Sequence, residues 1–383
     1  MRAEWEDIMQ AGFGQAVITP DLPVVLAGFG GSDRKRPVTE VHDDLEVHAV
    51  VLSHAGTTVC LLVLDLLMLG PDFASPVRAA VARSLGIPVS QVLTSCVHTH
   101  SGPAASAMLK RAGWPVLQGF LDAVMAGCVQ AAADARAALA PATLSYAREP
   151  LPDGLGRNRR DLPYNPSLGV LAFRGPEGSL IGTVGNVGIH PVALGPTCRA
   201  VSSDWIGPYR AALRESTGAP AVLLMGAMGD VDPHGFSHDR LTEGGDWDLA
   251  HRIGTGVAQA VDDVLSRTSE LPDSLVVLPP RALGPRAGLS LMTLLGRQVG
   301  RRLDVELHEW SVGGIRLVSL PGEAFDALGR SVLTSREDRA LLAAISPVWQ
   351  GYLPVPFRSG YEEKMSGGKR FVATVADALI TPP

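Results

Sequence analysis

Apolar and polar positions change period repeatedly along the chain, and each change marks an element. Residues 12–20 read as a short strand closed by Thr19-Pro20, and 26–31 as a glycine-rich loop. Residues 45–53 and 58–64 alternate or run apolar on either side of His54-Ala55-Gly56, which predicts a hairpin. Helical spacing over 75–85 is followed by a buried strand at 92–97 and an alanine-rich helix at 116–139. A strand at 143–148 leads into a polar, arginine-bearing loop that runs to Pro166. A second hairpin, 168–173 with 180–187, turns at Gly175-Pro176-Glu177-Gly178. Asp204 is positioned to cap a helix ending near Thr217; a strand follows at 221–225, a helix at 249–265 and a strand at 315–320. Only 271–306 lacks a clear period and reads as a lid or an irregular excursion. With no repeat and no linker, residues 1–383 form one domain of the α/β class.

The apolar strands keep ending in polar, glycine-flanked loops: Val97-His98-Thr99-His100-Ser101-Gly102, Ile189-His190-Pro191, Met228-Gly229-Asp230 and Pro321-Gly322-Glu323. Strand ends are where α/β folds assemble sites, because rigid strands hold the side chains that the loops present.

Composition narrows the function. A chain of 383 residues with 46% hydrophobic and 19% charged positions suits a well-buried enzyme, and 42 Gly with 29 Pro suits many turns between short elements. A net charge of −6 argues against a nucleic-acid partner, which needs a clustered basic face. The one dense basic run, Arg157, Arg159 and Arg160, suits a single anionic group. Cys60, Cys96, Cys128 and Cys198 lie far apart without a CxxC pair and read as buried free thiols. The N-terminus lacks a signal-peptide pattern, and the longest apolar run, 58–70, is too short to span a bilayer and carries Asp65. The expected location is cytoplasmic.

His98 and His100 head the candidates. On an extended strand, side chains two apart share a face, so both imidazoles point the same way, an arrangement used for zinc and equally for paired structural histidines. His190, a third strand-end imidazole, is either a satisfied structural histidine or a third donor, and Glu323 is either a carboxylate ligand or a helix-start residue favoured by the macrodipole. Asp230 and Asp232 read as hard-metal ligands or caps, without EF-hand spacing. His42 lines the site or stands in a solvated turn. Trp114, Trp205, Trp247 and Trp349 line an apolar pocket or pack the core. The chain has no G-x-S-x-G elbow, Walker loop or dinucleotide fingerprint.

Read in order, these segments resemble the catalytic domain of the neutral (non-lysosomal) ceramidase family. The resemblance rests on Gly12-Phe13-Gly14, Ile18-Thr19-Pro20, Ala27-Gly28-Phe29-Gly30, His42-Asp43-Asp44-Leu45, Asp65-Leu66 and His98-Thr99-His100-Ser101-Gly102-Pro103. It continues through Gly169-Val170-Leu171, 186–191, Ser203-Asp204, 226–233, Pro321-Gly322-Glu323 and Gly351-Tyr352. It implies mixed β-sheets with flanking helices and one zinc per chain, held by His98, His190, Glu323 and Tyr352. It further implies that His100 assists catalysis or orients substrate, that Arg159 lies near the substrate and that Tyr361 is a second tyrosine near the metal. Asp232 stands where the family carries a serine, so that serine's role does not transfer. The chain also leaves no room for the family's C-terminal immunoglobulin-like domain, so the expected substrate is smaller or more soluble than ceramide.

The expected activity is zinc-dependent hydrolysis of an N-acyl amide bond in a small, lipid-like substrate. His100 would help a proton to the leaving amine, and Arg159 and Tyr361 would stabilise the oxyanion or hold a substrate hydroxyl. An ester, lactone or phosphoester is the alternative for the same metal, and a non-catalytic binding protein on the same fold ranks below both.

Overall fold

The computed structural model describes residues 8–29, 34, 36–239, 242–283, 289–294, 297–302, 305–358 and 360–383, with backbone alone at 289–294 and 297–302. Three mixed sheets carry the fold. The first runs in the order Val92–Cys96, Thr57–Leu64, Glu46–His54, Gln10–Val17, Ala140–Pro141. The second runs Ala221–Met225, Leu180–Val187, Ser167–Arg174, Thr143–Pro150, Ser269–Glu270, and the third Leu275–Val277, Glu309–Val312, Ile315–Ser319, Ala340–Ala343. Both hairpins read from the sequence are antiparallel pairs, and each is extended by a parallel strand. Parallel neighbours need crossovers, which explains the helices between them.

The β-branched runs that form these strands are apolar on both sides because both faces are covered. Helices Pro71–Leu85 and Gln118–Ala137 pack on the first sheet, and Ile206–Thr217 and Trp247–Leu265 on the second. The inner faces meet where Val50 and Leu61, Phe173 and Leu224, and Trp310 and Leu317 surround one apolar space of about 30 Å³. A second apolar cluster lies between the third sheet and helices Asp326–Thr334 and Lys369–Ile380.

Polar stitches fix the sheets to one another near their carboxyl ends. The Asn186 amide donates to the carbonyls of Leu224 and Leu342 and accepts from Leu342 N–H, joining the second and third sheets. Ser95 Oγ donates to Ala344 O, and Ala344 N–H donates to Met225 O, drawing the first sheet into the same seam. The loops after Cys96, Val187, Met225 and Ser319 therefore leave one region. That is the link from fold to site.

Four readings change. The first crossover helix begins at Pro71, and a short helix, Ala107–Ala112, has no counterpart in the sequence reading. Asp204 is not the helix cap: Trp205 occupies that place, while Asp204, at φ 61°, accepts N–H groups of Ala193, Leu194 and Trp205. The irregular stretch is antiparallel instead, with Arg281–Leu283 on Val305–Leu307 and Leu289–Leu294 on Arg297–Arg302. Three-residue strands are too brief to show a period of two. The side chains on which a lid reading depends, 284–304, lie outside the described residues. All four cysteines are free and buried. No helix among the described residues is long and apolar enough to cross a membrane.

Candidate metal and catalytic site

The strand Val92–Cys96 ends before His98, and His98 turns into the left-handed region at φ 73°. His98 and His100 thus meet through a kinked turn, not along one strand face. Thr99 pins that turn, donating its hydroxyl to Ser202 O and accepting Ser101 N–H. The ring centroids of His98 and His100 are 4.9 Å apart, and that of His190 is 5.0 Å from His98 and 5.7 Å from His100. One ligand atom from each of the three rings lies within 4.8 Å of the others.

Hydrogen bonding separates these three rings into two kinds. His98 Nδ1 lies 2.6 Å from Leu67 O, and His190 Nδ1 lies 2.9 Å from Met228 O. A carbonyl only accepts, so both Nδ1 atoms carry the proton and both Nε2 atoms present lone pairs. His100 is the reverse. Its Nδ1 accepts Phe29 N–H at 3.1 Å, so the neutral ring carries its proton on Nε2. Burial holds the His100 pKa well below the ordinary imidazole value. Its buried Nε2 has no hydrogen-bond partner among the described residues.

Glu323 completes the first pair. Its backbone N–H donates to Gly351 O, and it stands in register with Tyr352 in the two-residue parallel ladder Glu323–Ala324 with Tyr352–Leu353. The chain reaches that ladder through Gly322 at φ 154°, where a Cβ would lie 2.1 Å from Gly351 O. Trp349 Nε1 donates to Glu323 Oε1 at 2.7 Å. Glu323 Oε2 lies 3.4 Å from His98 Nε2 and 3.2 Å from His190 Nε2, yet is buried without a hydrogen-bond partner among the described residues. Tyr352 is buried beside it, and burial together with the Glu323 charge raises its phenol well above the ordinary value.

Comparison with solved structures places the fold. Over 97% of this chain and 74% of the other, it superimposes on a ceramidase complexed with C2 at a TM-score of 0.80 and 16% identity. Over the same share of this chain and 73% of the other, it superimposes on neutral ceramidase from Pseudomonas aeruginosa at 0.79 and 18% identity. The chain has the neutral ceramidase fold. Neither a protein-family model nor a curated protein sequence matches it.

In this ceramidase-like fold, a cavity of about 460 Å³ opens over the cluster. Phe29, Val192 and Pro196 supply its apolar wall, and His100, His190 and Tyr352 its floor. Arg159, Asp232, His238, Tyr361 and Glu362 supply a polar wall. Tyr361 opens the helix Tyr361–Lys364, its ring centroid 6.1 Å from that of Tyr352. Arg159 lies over Tyr352, 6.0 Å from the ring centroid.

Two of the three cations in the basic run, Arg159 and Arg160, are already paired within the fold. Arg159 donates to Asp232 Oδ1, Glu362 Oε1 and Gly229 O, and Arg160 pairs with Glu363. Burial would lower the Arg159 pKa, but Tyr352, Asp232 and Glu362 hold it above its ordinary value. Asp230 accepts Asn158 Nδ2 and the N–H of Asp326, the first residue of the helix Asp326–Thr334, and so caps that helix. His42 lies off this cavity, stacked on Trp247 at 3.8 Å and bonded to Asp43. Trp205 and Trp349 serve the cluster through their N–H groups, on His190 O and Glu323, rather than as an apolar wall.

Sequence reasoning missed Val192, Pro196, His238 and Glu362. Glu362 adjoins Tyr361, and the others carry no pattern that marks them.

Gly28 admits His100. Its φ is 98°, and a Cβ there would stand 2.6 Å from His100 Nδ1. A Gly28→Ala protein is expected to stay folded, with Tm lowered by a few degrees, while turnover falls roughly 100-fold because a misplacement of about 1 Å carries that cost. Melting and rate measurements on the same preparation check it; an unchanged rate would mean that the position of His100 does not matter.

Proposed function

We propose that the chain, residues 1–383 acting as one catalytic unit, is a zinc-dependent amidohydrolase that cleaves an N-acyl bond in a small, lipid-like substrate. The observation that carries this reading is the set of three lone-pair atoms facing one another. His98 Nε2, His190 Nε2 and Glu323 Oε2 converge within 3.4 Å of the carboxylate oxygen, with the imidazole protons turned away onto backbone carbonyls. Three acceptors without a donor repel one another in a buried site, and a cation between them reverses that cost. Two imidazoles and a carboxylate, with the Tyr352 phenol beside them, form a donor set suited to one zinc. Bound there, zinc supplies a Lewis acid and a water acidic enough to attack at neutral pH.

The remaining roles follow from hydrogen bonding. His100 is excluded from the ligand set by its tautomer. Its Nε2–H points to where a substrate carbonyl oxygen would gain charge, so it donates a hydrogen bond to the developing oxyanion. This departs from the proton-carrying role expected for His100: accepting a second proton at Nδ1 would oppose Phe29 N–H. Tyr361, half-exposed to the cavity, is a second donor to the substrate, and Arg159 orders the acidic side chains of the polar wall. An acyl chain lies against Phe29, Val192 and Pro196.

A panel of N-acyl amides, acyl esters and aryl phosphates, assayed with metal-replete protein, tests the reaction class. Amide hydrolysis that stops in chelator and returns with zinc is the expected result. Turnover of phosphates alone would overturn the amidase reading.

A further inference from the structure

Asp232 is a buried carboxylate with two unequal oxygens. Oδ1 accepts from Arg159 Nη1 at 3.1 Å. Oδ2 has its nearest ion-pair neighbour in His238 Nε2 at 3.9 Å, beyond hydrogen-bond reach, and takes no hydrogen bond from the described residues. Both side chains line the cavity that opens over His100, His190 and Tyr352. Asp232 is 2% exposed, and its contact with solvent is through this cavity. Buried carboxylate oxygens are normally satisfied by donors. The strand Val231–Pro233 fixes the position, since it pairs with Gly156–Asn158 and Arg159 N–H donates to Asp230 O.

The charge of that wall points the same way. Among the described residues that line it, Arg159 is the arginine; the carboxylates of Asp232 and Glu362 both bind it, and Arg160 lies 3.7 Å from Glu362 Oε2, so the positive charge is already answered. A ligand group arriving beside Asp232 Oδ2 meets a carboxylate oxygen in the same cavity as Phe29, Val192 and Pro196.

Building on the amidohydrolase reading, we propose that Asp232, with His238 at its mouth, is the specificity-determining subsite for the amine half of the substrate. It selects amines that carry a hydrogen-bond donor, an ammonium ahead of a hydroxyl, and rejects those that carry a carboxylate. A charge-assisted bond to an ionised acceptor is stronger than a neutral one, which sets the ammonium first. A carboxylate there places like charges together without a proton between them.

Four hexanoyl amides test this: those of ethylenediamine, ethanolamine, propylamine and glycine, at a pH where the free amino group is protonated. Wild-type protein should show kcat/KM falling in that order. Asp232→Asn keeps an oxygen for Arg159 but presents N–H where Oδ2 stood. The preference for the ethylenediamine amide over the glycine amide should shrink about 10- to 100-fold in Asp232→Asn, mainly through KM. A residue that only holds the fold would slow all four amides alike and leave their ratio unchanged, and that result overturns the proposal. His238→Ala should alter the ratio only a few-fold.

A second arm separates this subsite from the reaction itself. Binding of the matching hexyl sulfonamides, which cannot be hydrolysed, is measured by calorimetry on wild type and Asp232→Asn. The same order of affinities, lost in the variant, supports the subsite even where no amide is turned over and the hydrolase reading fails. Equal affinities in the two proteins, beside normal amide turnover, overturn the subsite and leave the hydrolase reading standing.

Discussion

Replacing Glu323 by Gln is expected to remove both the metal and the activity, with a loss well beyond the roughly 10- to 100-fold that an outer-shell partner of a metal ligand is worth. The carboxylate is the only charged group among the three converging acceptors, since His98 and His190 offer neutral lone pairs. An amide in its place keeps the bond from Trp349 Nε1 if its oxygen takes the Oε1 position, and turns an N–H toward the two Nε2 atoms. The variant should therefore fold well without metal. Melting in chelator provides the readout that activity cannot. Wild type should lose several degrees when stripped of metal, because three buried acceptors are left facing one another, whereas Glu323→Gln should melt at the same temperature with and without chelator. His98→Ala and His190→Ala should each lower metal content as well. Wild-type protein that keeps its Tm and rate in chelator would remove the basis for the metal.

His100→Ala should do the opposite: keep the metal and lose the rate. Its Nε2 carries the proton and lies buried without a partner among the described residues, which suits a donor to charge that develops during reaction. Loss of one such donor costs about 10²- to 10³-fold in kcat, with KM little changed. Zinc content measured on the same sample is the discriminating number. If the three histidines formed the ligand set, as their mutual spacing alone would allow, His100→Ala would lose zinc together with activity. His100→Gln, which can offer an N–H to the cavity, should recover part of the rate.

The strands and long helices were legible because their patterns are long. The hairpins over Glu46–His54 with Thr57–Leu64, and over Ser167–Arg174 with Leu180–Val187, follow from eight- and nine-residue apolar runs around turn residues. The three-residue strands between 275 and 307 fall below the length at which a period shows, and they were read as irregular. Glycine-flanked polar loops at strand ends directed attention to His98, His190 and Glu323, which the structure draws together.

What the sequence could not carry is orientation. The two-residue spacing of His98 and His100 suggested equivalent rings on one strand face, whereas a left-handed turn gives them opposite tautomers. Arg159 looked like a free cation because its partners Asp232 and Glu362 lie 73 and 203 residues away. His238 went unread because nothing in its neighbourhood marks the fold that returns it to the cavity. In each case a long-range backbone path decides the chemistry of a side chain whose type was readable.

The most direct test of the central claim is a crystal structure of protein loaded with zinc, with anomalous scattering recorded at the zinc edge. The ligand assignment predicts one peak per chain, bonded to His98 Nε2, His190 Nε2 and Glu323 Oε2 at about 2 Å, with His100 Nε2 outside bonding distance. A peak bonded to His100 Nε2 in place of Glu323, or no peak at stoichiometric zinc, would contradict it.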